Sequence, residues 1–256
     1  MIEPAGRLAV RTLGWFEIRL DGRILPPPPG RGARLLRLLL STRAHALPKE
    51  CIAETLWPDS PTAIANLHAA ARDVRRWMGI AEGLVYEREL YALTARDIDA
   101  DRFEAEISSA RTLRGADPRQ AGRRYQAALA IYEGPFLPEE TGLDCVISRR
   151  VQLELWFAEA AMFVGTAALE NGEPDAALDF GTRVSDLDET REDAARLQMR
   201  ALAGLGRRAE ALRRFERLRL ILGRELGCGP DPATQAARDE MASAVRGQAH
   251  LLRLEA

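Results

Sequence analysis

The sequence contains no apolar run near the roughly 20 residues that span a bilayer, so neither a membrane helix nor a membrane partner is expected. Its opening stretch, Met1 to Arg11, carries charges and lacks the apolar core of a secretory signal, which points to a cytoplasmic setting. Cysteine is scarce. Cys51, Cys145 and Cys228 are odd in number and scattered, and they match neither a disulfide framework nor a metal knuckle. The histidines His45, His68 and His250 have no companions at metal-ligand spacing, so no metal site is expected. Lys49 is the only lysine and follows Leu47-Pro48 rather than a glycine-rich loop, so the phosphate loop of nucleotide enzymes is missing. There is no Gly-x-Ser-x-Gly nucleophile motif. Gly30-Arg31-Gly32 reads as a flexible hinge, and runs such as Asp186, Asp188 and Glu189 read as solvated surface. Trp57, Phe136 and Trp156 read as core. No catalytic residue, cofactor or enzymatic activity is expected.

What is present is an ordinary globular composition, 46% hydrophobic and 29% charged, in a 256-residue chain whose length favours two domains. The net charge of −2 hides an asymmetry. Residues 1–95 hold 13 basic and 10 acidic side chains, and the remainder holds 23 and 28. A mildly basic front and an acidic back suit a nucleic-acid reader joined to a protein-binding module.

The front begins with period-two alternation at Leu8, Val10 and Thr12 and again at Phe16, Ile18 and Leu20, which predicts strands. Asp21-Gly22 is a hairpin signal, and Pro26 to Pro29 then ends the β segment. A leucine-dense helix is expected over 34–42, a second over Lys49 to Leu56 after Pro48, and a third over Ala63 to Met78. Ser60 or Thr62 would cap the third and Gly79 would close it. Leu84-Val85-Tyr86 and Tyr91-Ala92-Leu93 flank Glu87-Arg88-Glu89 as a second short hairpin. Hairpin, three helices, hairpin is the layout of a winged helix.

From Asp99 the pattern is helical almost throughout, with a long stretch over 151–169. A shift of 34 residues superposes Ala160-Ala161 on Ala194-Ala195, Gly172 on Gly206 and Ala177-Leu178 on Ala211-Leu212. That period, in a helix–turn–helix context, resembles the tetratricopeptide repeat, whose stacked helix pairs present a concave face to peptides or helices. The fold class expected is mainly α with a small β part: a winged helix-turn-helix domain over 1–96, a tetratricopeptide-like repeat domain over 97–247, and a tail over 248–256.

In a winged helix the third helix enters the major groove. Leu67, Ala70 or Ala71, Val74, and Trp77 or Met78 give it an apolar stripe at steps of three and four. His68, Arg72, Arg75 and Arg76 lie mostly opposite, and Ala65 and Ala69 leave room for close approach. Arginine suits the task because its planar fork grips phosphate or the guanine edge at two points. The DNA-contacting candidates are His68, Arg72, Arg75 and Arg76 with Arg88 of the second hairpin. Arg72 and Arg76 are the preferred contacts and Asp73 an internal partner; Arg75 reaches phosphate or braces the helix.

Three blocks together resemble the bacterial transcriptional activator domain family, the architecture of antibiotic-regulatory proteins with an OmpR-type winged helix. They are Glu54-Thr55-Leu56-Trp57-Pro58-Asp59 with Ala65, Leu67, Val74 and Arg75-Arg76; Gly134-Pro135-Phe136-Leu137-Pro138 with Arg149-Arg150 and Leu153; and Leu226-Gly227 with Gly229-Pro230-Asp231-Pro232-Ala233-Thr234. The resemblance spans residues 8 to 245. It implies a front domain that binds promoter DNA, as tandem copies on direct repeats, and a back domain that supports self-association as a homodimer and contact with RNA polymerase or a sigma factor. The chain departs from the family at Leu90, where glycine commonly stands before the wing aromatic, and in the run Ala69-Ala70-Ala71. No receiver segment is expected before Leu8 and no ATPase module after the repeats. The function expected is a DNA-binding transcriptional activator. The alternative is a repeat-type adaptor whose winged helix no longer binds DNA.

Overall fold

The computed structural model describes residues 8–95 and 97–254. Most of the segment Met1 to Arg11, and the final two residues of the expected tail, lie outside the described residues. The chain divides into two compact units. One comprises the residues up to Ser109 together with Ala127–Leu155, and the other comprises Ala110–Gln126 together with the residues from Trp156 onward. A linear boundary near residue 96 therefore does not describe the packing, because residues 127–155 complete the first unit.

The first unit opens with β1 (Leu8–Arg11), β2 (Glu17–Leu20) and β3 (Arg23–Ile24), then α1 (Gly30–Leu40), β4 (Ala46–Pro48), α2 (Lys49–Leu56) and α3 (Ala63–Met78). The strands β5 (Leu84–Glu87), β6 (Leu90–Leu93) and β7 (Asp97–Ile98) follow. The alternating residues Leu8, Val10 and Ile18 are buried as the period required. Asp21-Gly22 makes the two-residue turn joining β2 to β3, with φ of 50° and 81°, the left-handed pair that a type I′ hairpin uses. Two strands escape the sequence pattern. β7 pairs parallel with β1, through Ala9 with Asp97 and Val10 with Ile98, and gives the sheet order β3-β2-β1-β7. β4 pairs antiparallel with β6 and gives the order β4-β6-β5. Strands of two and three residues are too short to show a period.

The hinge expected at Gly30-Arg31-Gly32 is corrected: these residues form the first turn of α1, entered from Pro29 at φ −62°. Proline can precede a helix because the first amides have no intrahelical acceptor. Glycine at 32 is a packing requirement, since a Cβ there would lie 2.8 Å from Val74 Cγ2 of α3. α1 also ends at Leu40 rather than 42. α3 has the expected bounds and closes on Gly79 at φ 73°. Its expected side-chain cap does not form, and Thr62 at the N-cap makes no capping bond.

Residues 97–109 and 127–155 hold this unit together through buried polar contacts. Asp99 opens α4 (Asp99–Leu113) and is 6% exposed; its carboxylate accepts from the Thr12 amide at 2.8 Å, the Thr12 hydroxyl at 2.6 Å and the Leu13 amide at 2.9 Å. A carboxylate buried with this many donors is compensated for the water it loses. The Gly134–Pro138 block then lies along the same segment, with the Gly14 amide donating to Pro135 O at 3.0 Å and the Leu137 amide to Thr12 O at 2.8 Å. Arg149, on α6 (Asp144–Glu170), donates to the Leu40 carbonyl at the end of α1 and to the Thr42 carbonyl just beyond it, at 2.7 and 3.1 Å. It also binds Asp101 at 3.0 Å and Glu104 at 2.9 Å. Arg150 binds the Phe136 carbonyl at 2.6 Å and the Glu140 carbonyl at 2.7 Å. The helix expected over 151–169 thus begins seven residues earlier, at Asp144, and the added turns carry both arginines.

The second unit holds the remainder of α4, α5 (Pro118–Ile131) and α6, then α7 (Pro174–Leu187), α8 (Glu192–Gly204), α9 (Arg208–Glu225) and α10 (Pro232–Leu254). The 34-residue period has a physical basis. Ala160, Ala161, Ala177, Ala194, Ala195 and Ala211 are each 0% exposed, so they sit where helices approach closely. Gly172 and Gly206, with φ of 80° and 74°, make the equivalent turns between helices. Met199, Leu202, Ala211, Phe215, Ala237 and Met241 form one core cluster across α8, α9 and α10. No helix among the described residues is long and apolar enough to cross a membrane.

Candidate nucleic-acid interface

α3 is amphipathic in the manner its sequence requires. Leu67, Ala70, Ala71, Val74 and Met78 are buried against the first unit, and Trp77 is half-buried, its Nε1 donating to Pro26 O at 3.1 Å. The opposite face presents Ala65, His68, Arg72 and Arg76 as exposed residues, with Ala69 half-buried among them. These positions follow one another at steps of three and four, so they share one side of the helix.

Each site candidate has a defined place. Arg72 is exposed. The Arg76 side chain is 76% exposed, with its guanidinium 3.9 Å from Asp73 on the preceding turn. Asp73 also lies 3.6 Å from Arg31 of α1, so it serves as an internal partner. Arg75 is half-buried; its Nε donates to Leu84 O at 2.7 Å and its guanidinium stands 5.9 Å from the Tyr91 ring. That geometry assigns Arg75 to bracing β5 against α3, one of the two roles left open by the sequence. His68 lies 6.3 Å from the Tyr86 ring and 6.4 Å from the Tyr91 ring, which sets its imidazole between the helix and the β5–β6 hairpin. Tyr86 and Tyr91 stack across the hairpin at 4.6 Å. Burial pushes the Tyr91 hydroxyl above its ordinary pKa.

Arg88 is exposed at the hairpin tip, set apart from the α3 residues along the chain. The turn is Arg88-Glu89 with φ of 48° and 65°, and strand register pairs Glu87 with Leu90. Two consecutive left-handed residues without glycine are strained. A contact that sequence reasoning missed offsets this: Lys49, at the start of α2, forms an ion pair with Glu89, and its amide donates to Glu89 O at 3.0 Å. The hydrogen bond from Lys49 holds the Glu89 carboxyl below its usual range, and the same bond raises the lysine. Forty positions separate the two residues, and no local motif could have paired them. Tyr86 Oη also bonds Glu89, at 3.2 Å.

The surface thus combines three exposed arginines, an exposed histidine and two alanines, and it fits hydrogen-bond donation to an anionic, planar-edged ligand. Nearby carboxylates on Glu87 and Glu89 keep its charge modest.

Comparison with known proteins places this geometry in context. The chain is 26% identical over 245 residues to the transcriptional regulatory protein MoaR1 of Mycobacterium tuberculosis, covering 91% of this chain and 78% of that one. It is 29% identical over 249 residues to the regulatory protein AfsR of Streptomyces coelicolor, covering 94% of this chain but only 25% of the longer protein. The solved structure of Mycobacterium tuberculosis EmbR in complex with a low affinity phosphopeptide superposes with a TM-score of 0.76 at 22% identity, covering 93% of this chain and 66% of that one. At that identity the likeness establishes the fold alone. The bacterial transcriptional activator domain matches residues 98–241, which takes in α4 to α9, the side chains of Asp99 and Arg149 and the 34-residue repeat. With that match over more than half its length, the chain belongs to the bacterial transcriptional activator domain family.

Proposed function

We propose that the chain is a cytoplasmic transcriptional activator that binds promoter DNA through a winged helix. In this reading α3 is the recognition helix and the β5–β6 hairpin is the wing. The helical repeats of α4 to α10 contact RNA polymerase or a sigma factor, or a second copy of the chain. The observation that carries the reading is the outward face of α3. Its apolar stripe is consumed by the first unit, and Arg72 and Arg76 remain exposed rather than packed against helices. A helix docked this way can enter a groove about 12 Å wide and offer guanidinium forks to guanine edges or phosphate. Arg88 extends the surface toward the adjacent backbone, and His68 adds a donor between the two. Family membership and the regulatory names of the relatives point the same way.

The test is fluorescence anisotropy with duplexes from the chain's own upstream region. Arg72→Ala or Arg76→Ala should each weaken binding, by about 1–3 kcal/mol where the side chain reads a base. A base-reading arginine loses preference at one position; a phosphate-reading one loses affinity uniformly. The absence of a salt-sensitive complex with any promoter duplex overturns the proposal. One observation favours the adaptor reading: the cations around the face have carboxylate partners, Arg76 beside Asp73 and Lys49 on Glu89. In that case a protein partner would co-purify equally well with the Arg72→Ala and Arg76→Ala double variant.

A further inference from the structure

The outward face of α3 carries an unusually short set of side chains for a base reader. Ala65 is exposed and Ala69 half-buried, and they alternate along the face with His68, Arg72 and Arg76. None of the residues that recognise adenine or cytosine is available there. Asn66 is half-buried and its Nδ2 points to Thr62 Oγ1 at 3.4 Å; Asp73 is held by Arg31 and Arg76. Besides His68, which stands near the Tyr86 and Tyr91 rings, what remains is arginine, whose fork matches guanine O6 and N7, and the bare methyl of alanine, whose one specific match in the major groove is the C5 methyl of thymine. Because an alanine methyl projects so little, it also lets the helix axis come close to the bases.

We infer that Ala65 and Ala69 are specificity-determining residues that read thymine methyl groups beside a guanine read by Arg72. This rests on α3 being the DNA-reading helix. The spacing follows from helix geometry. Ala69 precedes Arg72 by three residues, about 4.5 Å along the axis, which is one to two base-pair steps. Ala65 precedes Arg72 by seven residues, about 10 Å or roughly three steps. The preferred half-site therefore holds thymines on one side of the guanine, at about those separations.

The experiment begins with selection of duplexes from a random library by the full chain. Each thymine of the selected duplex is then replaced singly by deoxyuridine, which removes the 5-methyl and nothing else. The expected result is a loss of about three- to fivefold, the worth of one buried methyl group, at one or two positions on the same side of the guanine. Ala69→Gly and Ala65→Gly should each abolish the deoxyuridine penalty at one position and keep the guanine preference. Because glycine weakens a helix, Ala69→Ser serves as a second variant; it should also remove the methyl preference while α3 stays folded by circular dichroism. Tolerance of deoxyuridine at every position of a tightly bound duplex overturns the inference. So does a penalty that survives in all three variants. Failure to select any duplex is a different result, which removes the DNA-binding reading and this inference with it.

Discussion

At the scale of single residues, the structure turns on a few atoms that have no alternative partner. Gly32 illustrates this. A methyl group there meets Val74 Cγ2 at 2.8 Å and Pro29 Cγ at 3.2 Å, inside the close approach of α1 and α3. Gly32→Ala should cost about 1–3 kcal/mol of overpacking, more than the gain of about 1 kcal/mol in helix propensity. Urea denaturation would show this, and a Val74→Ala background should remove the penalty by making room. Tyr125 is a second case. It is fully buried and donates to Glu159 Oε1 at 2.7 Å; burial first, then that hydrogen bond, pushes its hydroxyl from 10.0 up to about 12. The folded chain keeps a proton that the unfolded chain releases, so the contribution is complete below about pH 10 and is lost as pH rises through about 12. Absorbance titration should reveal a phenol that ionises only at about pH 12, and Tyr125→Phe should remove that step while Tyr91 still titrates above its ordinary value.

At the scale of elements, the legibility of the sequence followed periodicity. α2 and α3 appeared with their bounds because each has a stripe and a stop signal, the Trp57-Pro58 turn for one and Gly79 for the other. β4 and β7 did not, because strands this short are defined by their neighbours, β6 and β1. The Gly30-Gly32 segment misled because glycine allows both a hinge and a tight helix contact, and only Val74 distinguishes them. Within the interface, the stripe and the free face of α3 were readable from spacing. The role of Arg75 stayed open between phosphate contact and bracing until Leu84 O was placed beside it, and the pairing of Lys49 with Glu89 was not readable, since it joins elements far apart in the chain. The family signature around Arg149-Arg150 was visible as a motif, but its purpose was hidden: Arg149 holds carbonyls at and just beyond the end of α1. Arg149 is 8% exposed and satisfies two carbonyls and two carboxylates. Arg149→Ala would take the donor from the buried Leu40 carbonyl and the half-buried Thr42 carbonyl, while Asp101 keeps His45 and Glu104 keeps Arg43, and a loss of about 1–3 kcal/mol is expected. Thermal melting should register it, and Arg149→Lys should recover only part, because an ammonium cannot span the same fork.

At the scale of the whole molecule, charge decides how the chain would meet a duplex. The net charge is −2, so general attraction to nucleic acid is weak and binding must come from the local face. If Arg72, Arg76 and Arg88 each neutralise one phosphate, the slope of log K against log salt should be about −3 per protomer, and about twice that for a pair of protomers on adjacent sites. A slope near zero with tight binding would show that phosphate contacts contribute little and would contradict the assignment of these arginines.

The weaving of residues 127–155 into the first compact unit has a practical result for anyone wishing to borrow the part that carries α3 and the β5–β6 hairpin. Cut away after the second hairpin, it would carry off the amides of Thr12 and Leu13 without Asp99, and the carbonyls of Leu40 and Thr42 without Arg149. Exchange of this module between regulators therefore cannot be made at the hairpin. A transplant that keeps its shape must bring the neighbouring helices as luggage, as far as the turn of α6 that bears Arg149 and Arg150.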